Sequence, residues 1–322
     1  MKRFFFILFF LLLLLLGCIA FLRITSKSNK NDNKQIIRMG FFPNLTHPQA
    51  LIAQAKGWFE KYLPENVQIQ WRQFNAGPSA MESLFTHAID VTYVGPTPAL
   101  NLYARTQGKE VRLLAGAIKG GAGLVLQKDL KGPWDAEFWK GKKIATPQFG
   151  NTQDVACRAW FMSQNFDQVL MTPVANSDQL LLFQKHKIDG VWTVEPWLSR
   201  LVQKGGQLFY KDDKNWATIF VASKEFYEKH AKLKEALLKA HKELTLWIKN
   251  NMEEACHLLK AELKKKTRID FSEVLIKDTT QSLIFETEVR KEEFQKWLED
   301  TILVKLLPRE TLSLNLDAFL GL

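Results

Sequence analysis

The chain has 322 residues, 46% hydrophobic and 24% charged, an ordinary balance that supports one large folded body able to hold two small cores. Its formal net charge of +10 does not mark a nucleic-acid binder. The lysines are scattered over helical segments, the one dense run, AELKKKTR at 261–268, reads as a solvated helix end, and neither zinc-ligand spacing nor arginine–aromatic interleaving is present.

The chain begins with Lys2 and Arg3 followed by an unbroken apolar run over 4–22, the pattern of an export signal. Inside it, Leu15-Leu16-Gly17-Cys18 resembles the bacterial lipoprotein box, in which the signal is cut before a cysteine that carries lipid. Cys18 is then the lipidation site, although Leu16 stands where a small residue is usual. The run is also long enough to stay as an uncleaved membrane anchor. Either reading tethers the rest outside the cytoplasmic membrane, in the periplasm or at the cell surface. The polar segment 26–34 (SKSNKNDNK) makes a flexible tether. The other two cysteines, Cys157 and Cys256, sit in amphipathic helical patterns and are expected as buried free thiols.

Beyond the tether, strands and helices alternate. Residues 35–42 (QIIRMGFF) predict a strand, and 48–62 a helix with proline placed early. Val67, Ile69 and Trp71 alternate with polar residues, as on a half-buried strand. Two steps follow in which a Gly-Pro pair precedes a helix: Gly77-Pro78, then a strand at 88–94, then Gly95-Pro96 before a helix at 97–107. Strands at 111–118 and 124–128 flank Gly120-Gly121-Ala122-Gly123, which lacks the Gly-Lys-Ser/Thr ending of a P-loop and reads as a hinge or turn. A second unit repeats the theme: a strand at 143–146, a helix opened by Gly150-Asn151-Thr152, a strand at 171–175 with Asn176, Ser177 and Asp178 as capping candidates, and a strand at 189–194 leading into Glu195-Pro196-Trp197. A strand at 216–222 returns to the first unit, and the remainder is almost wholly helical. The fold class is therefore α/β, with two lobes built on mainly parallel sheets and a helical tail.

Four stretches in this order, AGPSAMESLFTHAIDVTYVGPTPAL, AGAIKGGAGLVL, IATPQFGNTQDVACRAWF and SDQLLLFQKHKIDGVWTVEPWLSRLV, resemble the periplasmic solute-binding proteins for aliphatic sulfonates, taurine and nitrate, which serve ATP-binding-cassette importers and are similar to the binding proteins for thiamine-pyrimidine precursors. The resemblance covers 37–223 and implies a type II periplasmic binding protein. It assigns 1–18 to the signal, 19–35 to the tether, 36–118 with 219–322 to one lobe and 119–218 to the other, with hinge crossings near 118–125 and 216–222. It further implies a monomer that needs no cofactor and takes as partners a small solute, a permease with its ATPase, and the membrane through the N-terminus. Two positions depart from the family: His87 and His186 occupy turns where glycine is usual before Ile-Asp.

Helix starts that face a cleft hold an anion with backbone N–H groups and need no charged side chain. The candidate ligand-binding residues are Asn44 and Thr46, Gly77 and Ser79, Gly95 and Thr97 from one lobe, and Gly150, Asn151, Thr152, Glu195 and Trp197 from the other. Ser79 and Thr97 read equally well as N-caps. Glu195 would repel an anion, so it is expected to meet a ligand amine or the cleft rim. Trp197 and Phe42 can face an apolar tail, and Trp197 also reads as core. His47 reads as a ligand donor or a satisfied turn histidine, Arg158 as an anion partner or a surface ion pair. Four or five hydrogen bonds to charge, each worth about 1.5–3 kcal/mol, less the cost of immobilisation, reach micromolar binding. The chain has no Gly-x-Ser-x-Gly, His-Glu-x-x-His or Cys-x-x-Cys pattern, so no enzyme and no metal site is expected. The expectation is capture of a sulfonate-like anion for import; a thiamine-pyrimidine precursor, nitrate or bicarbonate, or a tethered sensor are the alternatives.

Overall fold

The computed structural model describes residues 34–166 and 168–321; the export signal, Cys18 and most of the tether lie outside them. Among the described residues no helix is long and apolar enough to cross a membrane.

Two sheets carry the fold. The first is built from β1 (Gln35–Phe41), β2 (Val67–Gln73), β3 (Val91–Val94), β4 (Val111–Lys119), β10 (Trp216–Ser223) and β11 (Ile284–Phe285), in the order β11-β4-β10-β3-β1-β2. The second is built from β5 (Ala122–Leu126), β6 (Lys143–Thr146), β7 (Leu170–Pro173), β8 (Gly190–Val194) and β9 (Gln207–Asp212), in the order β7-β6-β8-β5-β9. Both sheets are mixed in their pairings, while most strands of each run in one direction, as expected. Each has a parallel triplet, β2-β1-β3 and β7-β6-β8, extended by antiparallel pairings. One strand beside each triplet runs against it, β10 in the first sheet and β5 in the second; β4 and β9, antiparallel to those strands, run with the triplets again, and the short β11 pairs antiparallel to β4. The crossings fall at 120–121 and 213–215. Gly120 and Gly121 both have positive φ, 76° and 71°, a conformation glycine adopts at no steric cost.

In the first lobe, α1 (Pro48–Lys56) follows β1, α2 (Gly77–Phe85) follows β2 and α3 (Pro96–Arg105) follows β3. Strand alternation splits the core between the two faces of the sheet. Ile37, Met39 and Phe41 of β1 and Phe220 and Ala222 of β10 pack on one face; Ile219 and Val221 pack on the other with α2 and α3. In the second lobe, α4 (Ala136–Trp139), α5 (Thr152–Ser163), α6 (Asn176–Gln184) and α7 (Trp197–Gln203) flank the sheet. Because β7 and β8 lie on opposite sides of β6, the helices α5 and α6 that link them lie on opposite faces. Cys157 and Cys256 are buried and free.

The tail comprises α8 (Lys224–Lys229), α9 (Ala231–Asn250), α10 (Met252–Thr267), α11 (Glu273–Ser282), α12 (Lys291–Leu303) and α13 (Asp317–Leu320). Helices α9, α10 and α11 close one face of the first sheet, while α12 and α13 close the other. The end of α12 also reaches the second lobe, where Val304 packs on Val155 and Ala159 and its carbonyl accepts a hydrogen bond from Arg158 at 3.2 Å.

Candidate ligand-binding cleft

The six parallel strands of the two triplets point their carboxyl ends at one place, the position where open α/β sheets bind ligands. There a cleft with a cavity volume of about 40 Å³ is lined by residues from the turn after every one of them: Asn44, Thr46 and His47 after β1, Asn75, Ala76 and Gly77 after β2, Gly95 after β3, Pro147, Asn151, Thr152 and Gln153 after β6, Asn176 after β7 and Val194 at the end of β8. Phe42, Pro98 and Ala217 complete the wall. The starts of α1, α2, α3, α5 and α6 therefore converge. In four of them the N-cap residue, His47, Ala76, Gly95 or Ala175, makes no side-chain cap. First-turn N–H groups have no acceptor within their own helix; Pro48, Pro78, Pro96 and Pro98 carry none and the Thr97 N–H is taken by Thr152, so the free donors come from the starts of α1, α2, α5 and α6, while the helix dipoles favour a negative ligand.

The lobes meet across this cleft. The N–H of Thr97 donates to Thr152 Oγ1 at 3.3 Å. A Cβ on Gly95 would stand 2.1 Å from the same oxygen and 2.8 Å from the Thr152 Cβ, so only glycine permits this approach. Every described lining residue is formally uncharged. His47 is fully buried, and burial pushes its pKa down to about 3, so it is neutral near pH 7. Its Nδ1 accepts from the Phe42 N–H at 3.4 Å, which leaves the ring proton on Nε2 and makes that nitrogen a donor.

Of the residues expected from sequence, Asn44, Thr46, Gly77, Gly95, Asn151 and Thr152 are brought together in the lining. The other five lie outside it, each for a local reason. Ser79 donates its hydroxyl to the Ala76 carbonyl at 2.9 Å, inside its own first turn. Thr97 is sealed behind the wall, and its Oγ1 has no partner among the described residues. The N–H of Gly150 is bonded to Asp154 Oδ2 at 2.8 Å. Glu195 turns to the opposite side of the hinge, where its carboxylate accepts from the Ser199 N–H at 3.1 Å and hydroxyl at 2.9 Å. The repulsion expected between Glu195 and an anion is therefore avoided. Trp197 is buried against Phe271, and its indole N–H donates to Asn44 Oδ1 at 2.8 Å. Arg158 pairs with Asp154 at 2.6 Å.

Sequence reasoning missed Asn75, Ala76, Pro98, Pro147, Gln153, Asn176, Val194 and Ala217 as lining. Position flags several of them: Asn75, Ala76 and Pro147 lie in turns just past the carboxyl ends of parallel strands, and Gln153 and Asn176 lie in the first turns of the helices that follow such strands.

Two mixed sheets, two crossings and a cleft at the converging strand ends define the chain as a periplasmic-binding-protein fold. Residues 30–261 match the family described as NMT1-like, and the chain belongs to that family. It is 27% identical over 237 residues to the Bacillus subtilis protein named "Putative aliphatic sulfonates-binding protein", covering 70% of each chain. It is 26% identical over 200 residues to the taurine-binding periplasmic protein of Escherichia coli, covering 59% of this chain and 60% of that one. Its fold superposes on the crystal structure of the periplasmic aliphatic sulphonate binding protein from Escherichia coli with a TM-score of 0.70 at 16% identity, over 89% of this chain and 92% of that one.

Proposed function

We propose that the protein captures a small organic oxyanion of the sulfonate class outside the cytoplasmic membrane and delivers it to an ATP-binding-cassette permease. The observation that carries this reading is the convergence of five helix starts, from both lobes, on a cleft whose described lining has no charged side chain. An anion bridging those starts contacts both lobes at once, and closure shifts only by as much as the ligand favours the closed form. A cavity of about 40 Å³ holds a headgroup of roughly three or four heavy atoms, given that one water needs about 10–15 Å³. That size also suits nitrate, which is the second reading. The sulfonate and taurine relatives support the first. Tethering through lipid on Cys18, or through an uncleaved apolar span, belongs to the same proposal, as does action as a binding protein rather than an enzyme.

Calorimetry of the detergent-purified full chain against taurine, short alkanesulfonates and nitrate tests it. At least one sulfonate is expected to bind with micromolar affinity. Gly95→Val, which would force the Thr152 contact apart, is expected to lower that affinity at least about 100-fold while the fold persists, since the lost bonds to charge are worth about 1.5–3 kcal/mol each. Loss of sulfonate uptake on gene deletion would separate import from sensing, and absence of binding across the panel would reject the reading.

A further inference from the structure

Four carboxamides in the cleft each bond to a partner from the protein. Asn44 Oδ1 accepts from Trp197 Nε1 at 2.8 Å, and Gln153 Oε1 accepts from Trp192 Nε1 at 3.1 Å. Asn151 Oδ1 accepts from the Asp154 N–H at 2.9 Å, and Asn176 Oδ1 lies 3.2 Å from Thr193 Oγ1. An indole N–H and a backbone N–H can only donate, so the amide oxygens of Asn44, Gln153 and Asn151 must face them and their NH₂ groups must point elsewhere, whereas the Thr193 hydroxyl can donate or accept and leaves Asn176 unlocked. The NH₂ groups of the first three bond to no protein acceptor among the described residues. None of them is among the sealed polar atoms without a partner, although Asn44, Asn151 and Gln153 are more than nine-tenths buried. Their remaining direction is the cleft that these side chains line.

Two of these partners come from one strand, β8. Successive residues of β8 face opposite sides of the sheet. Trp192 therefore meets Gln153 at the start of α5, while Thr193 meets Asn176 at the start of α6 on the other face. Trp197, just past the strand, reaches across to Asn44 in the first lobe. Thr152 Oγ1 accepts from Thr97, which turns its hydroxyl hydrogen outward too. Among the described lining carboxamides, Asn176 and Asn75, the latter exposed at the mouth, lack such a lock.

We propose that Trp192 and Trp197 are positioning residues that fix the buried carboxamides Gln153 and Asn44 as donors toward the cleft, so that it favours oxyanions carrying no proton over those that carry one. The proposal rests on the reading of the cleft as an oxyanion site. A sulfonate or nitrate is proton-free at neutral pH and accepts from every donor. A singly protonated phosphonate, or bicarbonate, brings an O–H that would be buried against those two groups without an acceptor, and such an unmade bond is costly. Where either carboxamide is unlocked it can rotate, offer its oxygen and satisfy that O–H.

The test compares methanesulfonate with methylphosphonate, near-identical in shape, by calorimetry on the detergent-purified full chain, buffered on the acid side of the phosphonate's second ionisation. The wild type is expected to favour the sulfonate by about 100-fold or more, because leaving a polar group unpaired in a built site is heavily penalised. Trp192→Phe keeps an aromatic ring in place and removes the lock on Gln153; it should narrow the ratio about 10-fold, the worth of one such hydrogen bond. Trp197→Phe should do the same through Asn44. Asn176→Asp, which installs a fixed acceptor, should reverse the preference. A purely structural role for these residues would weaken both ligands alike and leave the ratio unmoved, and that result in Trp192→Phe and Trp197→Phe overturns the inference. Equal affinity of the wild type for both ligands overturns it as well. If the wild type binds neither ligand nor any other sulfonate, the oxyanion reading itself falls and takes the inference with it.

Discussion

At the scale of single residues, His87 and His186 show the same device in both lobes. Each ends a helix in left-handed backbone, with φ of 56° and 51°. Each is followed by an Ile-Asp pair whose carboxylate anchors the central strand of its lobe's parallel triplet: Asp90 accepts from the Arg38 N–H at 2.7 Å, and Asp189 from the Lys143 N–H at 2.8 Å. Left-handed backbone costs a residue with a Cβ about 1–2 kcal/mol. Glycine avoids that cost but loses about 0.5–1 kcal/mol to unfolded-chain entropy. His186→Gly is therefore expected to stabilise the protein by up to about 1 kcal/mol, a rise of roughly 2–4 °C in melting temperature. A lowered melting temperature would mean that the histidine ring makes a contact worth more than the strain. The departure from glycine was visible in the sequence; the sign of φ, which gives it meaning, was not. The site shows the same division. Gly95 and Asn44 were readable because strand-to-helix turns are local. Whether a given side chain lines the cleft or supports it depends on partners far away in sequence, as Trp197 and Asn44 do, and no local pattern reports such a pair.

At the scale of elements, periodicity located most strands and helices, and the errors have physical causes. The strand expected at 88–94 begins only at Val91, because Ala88 and Ile89 donate back to the Ser83 carbonyl and extend the helix-ending turn. Strand β9 was missed: it is an edge strand, half exposed, with Phe209 and Tyr210 reaching a cluster of aromatic rings around Trp160. Helix α12 was legible as a helix, but its role was not. Glu293 in its first turn bonds to Lys119 at 2.7 Å and to the Trp216 indole at 2.9 Å, gripping the end of β4 and the start of β10 beside both crossings. Burial works against the Glu293 charge, but hydrogen bonds from Lys119, Trp216 and Arg290 outweigh it and hold the carboxyl down at about 2. A depressed carboxyl contributes stability above its ordinary value near 4.5 and loses it as pH falls toward 2. Glu293→Gln is thus expected to destabilise the protein near neutrality and to flatten this part of the acid transition. Melting curves of both proteins between those limits check it; parallel curves would show that the grip contributes nothing.

At the scale of the whole molecule, the two lobes are joined by more than the two crossings. The turn after β8 belongs to both: the Glu195 N–H donates to the Gly121 carbonyl at 2.8 Å, and the Glu195 carbonyl accepts from the Leu45 N–H at 3.0 Å. On the far side of this turn from the binding cleft lies a crevice of about 300 Å³, bounded by α7 and β9 of one lobe and by α11 of the other. The Glu195 carboxyl lies in its wall, only 5% exposed. Burial pushes its pKa up to about 7, against the opposing pull of the Ser199 hydrogen bonds and the Lys211 charge. A carboxyl raised in the folded state contributes stability that is complete below its ordinary value of 4.5 and is lost as pH rises through about 7. Glutamine cannot ionise and keeps an oxygen for Ser199, so Glu195→Gln removes this dependence without emptying the space. The melting temperature of the wild type, subtracted from that of the variant, should therefore climb as pH passes from 4.5 to above 7, with other titrating groups cancelling in the difference. The same comparison made with a saturating oxyanion shows whether closing the front cleft changes the environment of the crevice behind it. If it does, the pH at which the difference rises will move with ligand; if the turn is a rigid pivot, the two profiles will superpose. A difference that stays level with pH would show that Glu195 is ionised at no cost, and that water reaches it from the crevice.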